Sequence, residues 1–394
     1  MRSPTAVHYW AGCPRSANSK WRRFLALVQR CHEEGWKNYL VLSRMPEDRS
    51  LVEPFVQAGC EILSQPRSRR NFDAASIWRT CRLLRRLKSD VFHCHNDHTS
   101  PLIGAALARV RVRVWSKLSM SSYYETGEVP HGFQRLYLSN RISCWCSRRI
   151  LALTEGVRRE FVSQGGSLSK TLVVPGPVEV ERLATASVDG VREYLGLPKA
   201  AFVITAVGHA VPVKGWDILL HAFAKLAAET PEAHLLLVGS MSAPDEVAFA
   251  ENLQATASDA GCAERVHMLG HRSDIPEILK ASDIFVFPSR SDGQGLALVE
   301  AMASGLPCLA AATGGIPDVI TDCENGLLFE RENMMDLADK LALLIRDGQL
   351  RIRLAAGARE TAKQYTMDAY VERVFACYQA LLPAFSSNAS LSWT

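Results

Sequence analysis

The chain reads as an α/β protein built from two Rossmann-like, doubly wound halves, and three observations predict this. Short apolar runs of strand length alternate with stretches of helical periodicity along most of the chain. At 394 residues the chain exceeds what one hydrophobic core usually supports. A Pro175-Gly176-Pro177 break stands near the middle, and the charge balance changes sign shortly after it. Residues 1–180 carry 28 Lys and Arg against 14 Asp and Glu, a balance of +14; residues 181–394 carry 17 against 27, or −10. The expected domains are 1–178 and 190–367, followed over 368–394 by a C-terminal helix and a frayed tail.

Hydrophobic content of 47% with 22% charged residues excludes disordered and fibrous classes. No apolar run approaches the roughly 18 residues of a membrane span, and Met1-Arg2-Ser3-Pro4 leads into a short strand rather than a signal sequence. A cytoplasmic protein is expected, peripheral at the inner face of the membrane if its basic half meets anionic lipid. The eleven cysteines are scattered singly apart from Cys144 and Cys146, so reduced thiols are expected rather than a disulfide framework or zinc ribbon.

In the first half, a strand from Val7 to Trp10, a helix from Trp21 to Glu34 stopped by Gly35, and a strand from Tyr39 to Leu42 make a βαβ opening. Ala75 to Lys88 reads as a helix with Arg79, Arg82, Arg85 and Arg86, which is either a solvated basic face or a patch for membrane or acceptor phosphate. In the strand from Val91, His93 and His95 share one face and have the chemistry of metal ligands. No matching ligand cluster appears elsewhere, so a polar strand-end group facing the interdomain cleft is expected instead. Ser119 to Phe133 has the composition of a long loop suited to acceptor recognition. Charge alone favours nucleic acid, and no binding module for it is visible.

The second half restarts the alternation at Phe202–Val207, followed by Gly208-His209 and Lys214-Gly215 before a helix from Trp216 to Leu226. Strands from His234, Val266 and Asp283 follow, separated by helices. Pro288 to Pro307 then organises the domain: a buried strand, a loop with Gly293 and Gly295, a helix from Leu296 to Ala303, a Gly305 stop and another strand. The first amides of a helix lack intrahelical partners and carry the positive end of its dipole, so this end is expected to bind a phosphate, which Gly293 and Gly295 let close to the backbone. Asp292 and Glu300 are separated by eight residues, about 12 Å along a helix at about 1.5 Å per residue, which places one acid at each end of a ligand the size of a nucleotide-sugar. The alternative is an ordinary N-cap aspartate and an exposed helical glutamate.

This ordered series resembles the donor domain of the retaining family-4 glycosyltransferases of GT-B fold: Val207-Gly208-His209, Lys214-Gly215, Pro288-Ser289 to Asp292, Glu300-Ala301-Met302-Ala303, Gly305-Leu306-Pro307, Gly314-Gly315-Ile316-Pro317 and Asn325-Gly326-Leu327-Leu328. The first half is similar more loosely, through Ser89 to His95 and Ile150 to Thr154. The resemblance implies two domains facing across a cleft, a C-terminal helix over Asp368 to Leu382 that crosses back to the first domain, and retaining transfer from a UDP- or GDP-sugar to a glycan or lipid-linked acceptor in cell-surface polysaccharide, lipopolysaccharide or glycolipid synthesis. It implies no cofactor, no essential metal and no nucleic-acid partner. Carried over, Lys214 binds the diphosphate, Glu300 the ribose and Asp292 the donor sugar, with Gly208, His209 and Gly293 to Leu296 completing the donor site. His209 stands where the family usually has arginine, and Asp292 where it has glutamate. These two differences motivate the alternative of a non-catalytic nucleotide-sugar or glycan-binding relative.

Overall fold

The computed structural model describes residues 2–14, 19–68, 72–95, 99–118 and 133–382. They fall into two compact units, one holding the described residues of 2–118, 133–177 and 367–382, the other holding 178–366. The expected acceptor loop lies outside the described residues except for Phe133, which opens a helix, and the tail from Ser386 lies outside them too.

The first unit runs β1 (Thr5–Trp10), α1 (Ser19–Glu33), β2 (Lys37–Leu42), α2 (Glu53–Gln57), β3 (Cys60–Ser64), α3 (Ala74–Leu87) and β4 (Val91–His95). It continues with α4 (Thr99–Leu107), β5 (Val112–Lys117), α5 (Phe133–Cys146), β6 (Arg149–Ala152), α6 (Glu155–Ser163) and β7 (Thr171–Val173). Its sheet is parallel throughout, in the order β3-β2-β1-β4-β5-β6-β7. Parallel strands need crossover helices on both faces, which is why their sequences read as apolar runs such as the fully buried Ile150 to Ala152.

The second unit runs α7 (Val180–Thr185), α8 (Val191–Tyr194), β8 (Phe202–Val207), α9 (Trp216–Leu226), β9 (Ala233–Val238), α10 (Pro244–Asp259), β10 (Val266–Gly270), α11 (Ile275–Lys280) and β11 (Ile284–Phe287). It ends with α12 (Leu296–Ser304), β12 (Cys308–Ala311), β13 (Leu327–Phe329), α13 (Met334–Arg346) and α14 (Gly348–Ala362). Its parallel sheet has the order β10-β9-β8-β11-β12-β13. The strand order reverses between β8 and β11, and open α/β sheets of this kind bind ligands beyond the strand C-termini at that point.

After the second unit the chain returns to the first as α15 (Met367–Leu381), which packs on α1. Tyr378, Phe375 and Val374 are buried there, and Arg30 bonds Glu372 at 2.7 Å while lying over the Phe375 ring. Among the described residues, no helix is long and apolar enough to cross a membrane. All eleven cysteines are free, most of them buried.

The structure changes the reading of the histidines. His8 of β1 pairs in register with His93 of β4, and the ligand atoms of His8, His93 and His95 lie within 4.8 Å of one another. All three side chains are buried, so the expected open strand-end group is a buried cluster, completed by a histidine that lies 85 residues earlier in the chain than His93. The His93 ring is held at both nitrogens, Nδ1 by Tyr378 Oη at 2.5 Å and Nε2 by Ser116 Oγ at 2.6 Å.

Candidate active site

The loops after β8, β11 and β12 form the centre of the second unit. Gly215 opens α9 with φ +67°, and a Cβ there would stand 2.0 Å from the Pro288 carbonyl oxygen, so the turn after β8 and the turn after β11 meet backbone to backbone. Arg290 fastens the two turns. Its amide donates to the Val213 carbonyl at 2.8 Å, and its guanidinium bonds Asp217 through two nitrogens at 2.9 and 2.8 Å and Glu332 at 3.0 Å. The third turn joins through the Gly315 amide, which donates to the Asp292 carbonyl at 3.1 Å, and the Thr313 hydroxyl, which donates to the Arg290 carbonyl at 3.0 Å.

Within this frame Lys214 Nζ bonds Asp292 Oδ2 at 2.8 Å, and both side chains are largely buried. Asp292 Oδ1 accepts from the amides of Gln294 at 3.1 Å and Gly295 at 2.7 Å. Burial opposes ionisation of Asp292, yet the Lys214 charge and hydrogen bond and the two amides outweigh it and hold the carboxyl below its ordinary value. The helix N-cap is Gly295, not Asp292. Asp292 instead closes the turn that leads to the cap. Two of the amides expected to face a ligand, those of Gln294 and Gly295, therefore donate to Asp292.

Gly293 and Gln294 are buried in the turn, and Leu296 begins α12 with Glu300 half-buried one turn further on. Gly208 follows β8 directly, and a Cβ on it would press the Lys214 stem at 3.2 Å. His209 is well exposed and bonds Glu246 Oε1 through Nδ1 at 2.8 Å. The other oxygen of Glu246 accepts from the Ser240 hydroxyl at 2.6 Å and the amides of Ser242 and Ala243 at 2.9 and 3.1 Å. These donors, Ser240 first and His209 second, bring the Glu246 carboxyl down to about 2. The site thus offers one ammonium, one imidazole and a helix start, all arranged around carboxylates that are already paired.

Sequence reasoning overlooked Glu246, the clamp made by Arg290 and Asp217, and Gly239. A Cβ on Gly239 would lie 1.4 Å from the Gly208 carbonyl oxygen, so the turn after β8 rests against the end of β9. The glycine that ends the apolar run Leu235 to Val238 is the signal that would have found it. The two ion pairs had none, because their partners lie 37 and 73 residues apart.

Residues 189–361 match the family model described as glycosyl transferases group 1, and residues 20–177 match the glycosyl transferase 4-like domain. A D-inositol 3-phosphate glycosyltransferase of Corynebacterium efficiens is 34% identical over 191 residues, which is 48% of this chain and 45% of that protein. The chain spans about half the length of the first curated relatives it matches. The crystal structure of Anabaena Alr3699/HepE in complex with UDP superposes with a TM-score of 0.81 at 19% identity, covering 96% of this chain and all of that one. The same protein in complex with UDP-glucose gives 0.77, also at 19% identity, over 95% of this chain and 99% of that one. With two parallel Rossmann-like sheets and both family models matched in order, the chain belongs to the family-4 glycosyltransferases of two-domain GT-B fold.

Proposed function

We propose that this protein is a retaining glycosyltransferase that moves a sugar from a nucleotide-sugar, UDP- or GDP-linked, to a glycan or lipid-linked acceptor. The observation that carries the reading is the Lys214–Asp292 pair set at the start of α12, beyond the C-terminal ends of β8 and β11. In this reading Lys214 exchanges its carboxylate partner for the donor diphosphate and stabilises the charge that develops as the diphosphate departs. Asp292, released from the lysine, turns its freed oxygen to the sugar, and Glu300 takes the ribose. The reaction draws on protein cations and amides and needs no metal.

The neighbour that was crystallised with UDP and with UDP-glucose makes uridine nucleotides the first donors to try. The relatives named for D-inositol 3-phosphate put phosphorylated polyols among the acceptors to screen. Transfer from a panel of UDP-, GDP- and ADP-sugars, with Lys214→Ala and Glu300→Ala beside the native chain, tests the reading. Turnover and donor affinity untouched by both changes would overturn the site assignment.

One observation favours a second reading, in which the protein binds a nucleotide-sugar without transferring it: both oxygens of Asp292 are already engaged. Calorimetric binding of a donor with neither hydrolysis nor transfer to any acceptor would select that reading.

A further inference from the structure

A groove of about 660 Å³ lies in the first unit between the outer strand β3 and helix α3. Its volume falls in the range of small-molecule sites. Ile62, Leu63 and Pro66 form one wall, and Trp78 and Leu83 form the other. Arg79, Arg82 and Arg86 of α3 also line it, spaced three and four residues apart and so on one face of the helix.

These arginines differ from a solvated basic face in two respects. No carboxylate is among the residues lining the groove, and none of the three forms an ion pair among the described residues. Arg79 Nε has no solvent access and, among the described residues, no hydrogen-bond partner. A buried guanidinium nitrogen without an acceptor is costly, and like charges on one helical face repel. An anion in the groove relieves both. Trp78 is 60% exposed, an unusual state for so large an apolar ring, and Arg82 already covers one of its faces at 5.2 Å.

Charge and shape together fix the ligand class. Guanidinium groups bind phosphate oxygens in pairs, so three of them suit a phosphate monoester. The two apolar walls suit a hydrocarbon chain attached to it. We propose that this groove binds a phosphorylated amphiphile, one molecule at a time, with its phosphate on Arg79, Arg82 and Arg86 and its chain along Trp78 and β3. The groove shares no residue with the nucleotide-sugar site of the second unit and stands whether or not that reading holds.

The test is calorimetry on the full chain with n-octyl phosphate, n-octanol, inorganic phosphate and oligothymidylate. Octyl phosphate is expected to bind at least about tenfold more tightly than octanol or inorganic phosphate. The combined change Arg79→Gln, Arg82→Gln and Arg86→Gln is expected to weaken it about tenfold or more, and Trp78→Ala to weaken it as well. Should the triple variant fail to melt cooperatively by circular dichroism, Arg82→Gln alone, at an exposed position, supplies the same comparison. Equal affinity in native and variant proteins would overturn the proposal, as would inorganic phosphate binding as tightly as octyl phosphate. Tighter binding of oligothymidylate would reassign the groove to nucleic acid. Sedimentation with phosphatidic-acid vesicles, without binding of octyl phosphate monomers, would reassign it to a membrane surface.

Discussion

The two units handle buried and half-buried polar groups in opposite ways. In the second, each carboxylate at the strand ends has a nitrogen partner: Asp292 has Lys214, Asp217 has Arg290 and Glu246 has His209. In the first, among the described residues, His8 is buried without a hydrogen-bond partner and the α3 arginines face a groove that no acid lines. Paired charges hold loops in place and are released only to a competing ligand. A buried neutral histidine makes folding sensitive to protons, and an unpaired cation awaits an anion.

Breaking a pair in the second unit gives the largest expected effect. Lys214→Met keeps the length of the side chain and removes the cation. Turnover is expected to fall by about a hundredfold or more, comparable to losing one preorganised electrostatic group, roughly 3 kcal/mol. The Asp292 carboxyl, deprived of its cation, is expected to titrate at a higher pH than in the native chain, visible by carbon NMR of labelled aspartate. Unchanged turnover would show that the pair is only structural.

The contrast between the units sharpens under acid. Burial lowers His8 to about 4 from its ordinary 6.5, and burial likewise lowers His93 well below its ordinary value, with the charges of His8 and Arg23 adding to it. The unfolded chain then binds protons that the folded unit refuses, so stability is fully present above about 6.5 and is lost as pH falls from there towards 4, by on the order of 3 kcal/mol for His8 alone. Glu246, lowered to about 2, contributes stability that is lost only below the ordinary range of a glutamate. The first unit should therefore loosen first. Trp10, Trp21, Trp36, Trp78, Trp115 and Trp145 lie in it and Trp216 in the second, so tryptophan fluorescence during urea unfolding reports mainly the first unit. The urea midpoint is expected to drop between about pH 7 and pH 5, and His8→Leu to flatten that slope.

How far the sequence revealed all this depended on whether a feature was local. The helix from Trp216 to Leu226 was readable to the residue, because Trp216, Leu219, Leu220 and Phe223 repeat at helical spacing behind a glycine turn. Helix α4 left no such signal, since Pro101 and Gly104 are poor helix formers among its nine residues. Gly104 is there because a Cβ would meet the Ile77 carbonyl and Thr80 at 2.8 Å where α3 crosses α4. Strand β3 carries Glu61 and Ser64 among its five residues, which suits an edge and hides a strand. In the site, the glycines and the acids of the loop after β11 were visible as residue types. Their partnerships depend on contacts between distant loops and were not visible.

A third test addresses that loop packing. Gly314 has φ +56°, and a Cβ on it would lie 2.1 Å from the Asp292 carbonyl oxygen. Gly314→Ala is expected to cost about 2 kcal/mol of stability and to weaken donor binding, because the strain falls on the turn that holds Asp292. Thermal melts together with donor titrations would check it. A loss of stability with full donor affinity would separate the turn from the site.

The smallest expected effect is at His209, and it tests whether pairing is essential at the edge of the site. His209 is well exposed, and Glu246 keeps Ser240, Ser242 and Ala243 as donors without it, so His209→Ala should cost less than about 1 kcal/mol of stability. Its effect on the donor should be larger in proportion. An imidazole carries full charge only below its pKa, whereas arginine stays charged throughout the accessible range. If His209 reaches the diphosphate, His209→Arg, which puts a permanent guanidinium in its place, strengthens donor binding by a few-fold. Donor titrations of the native chain and the variant distinguish the cases: no difference places His209 away from the phosphates and leaves Lys214 as the cation that meets them.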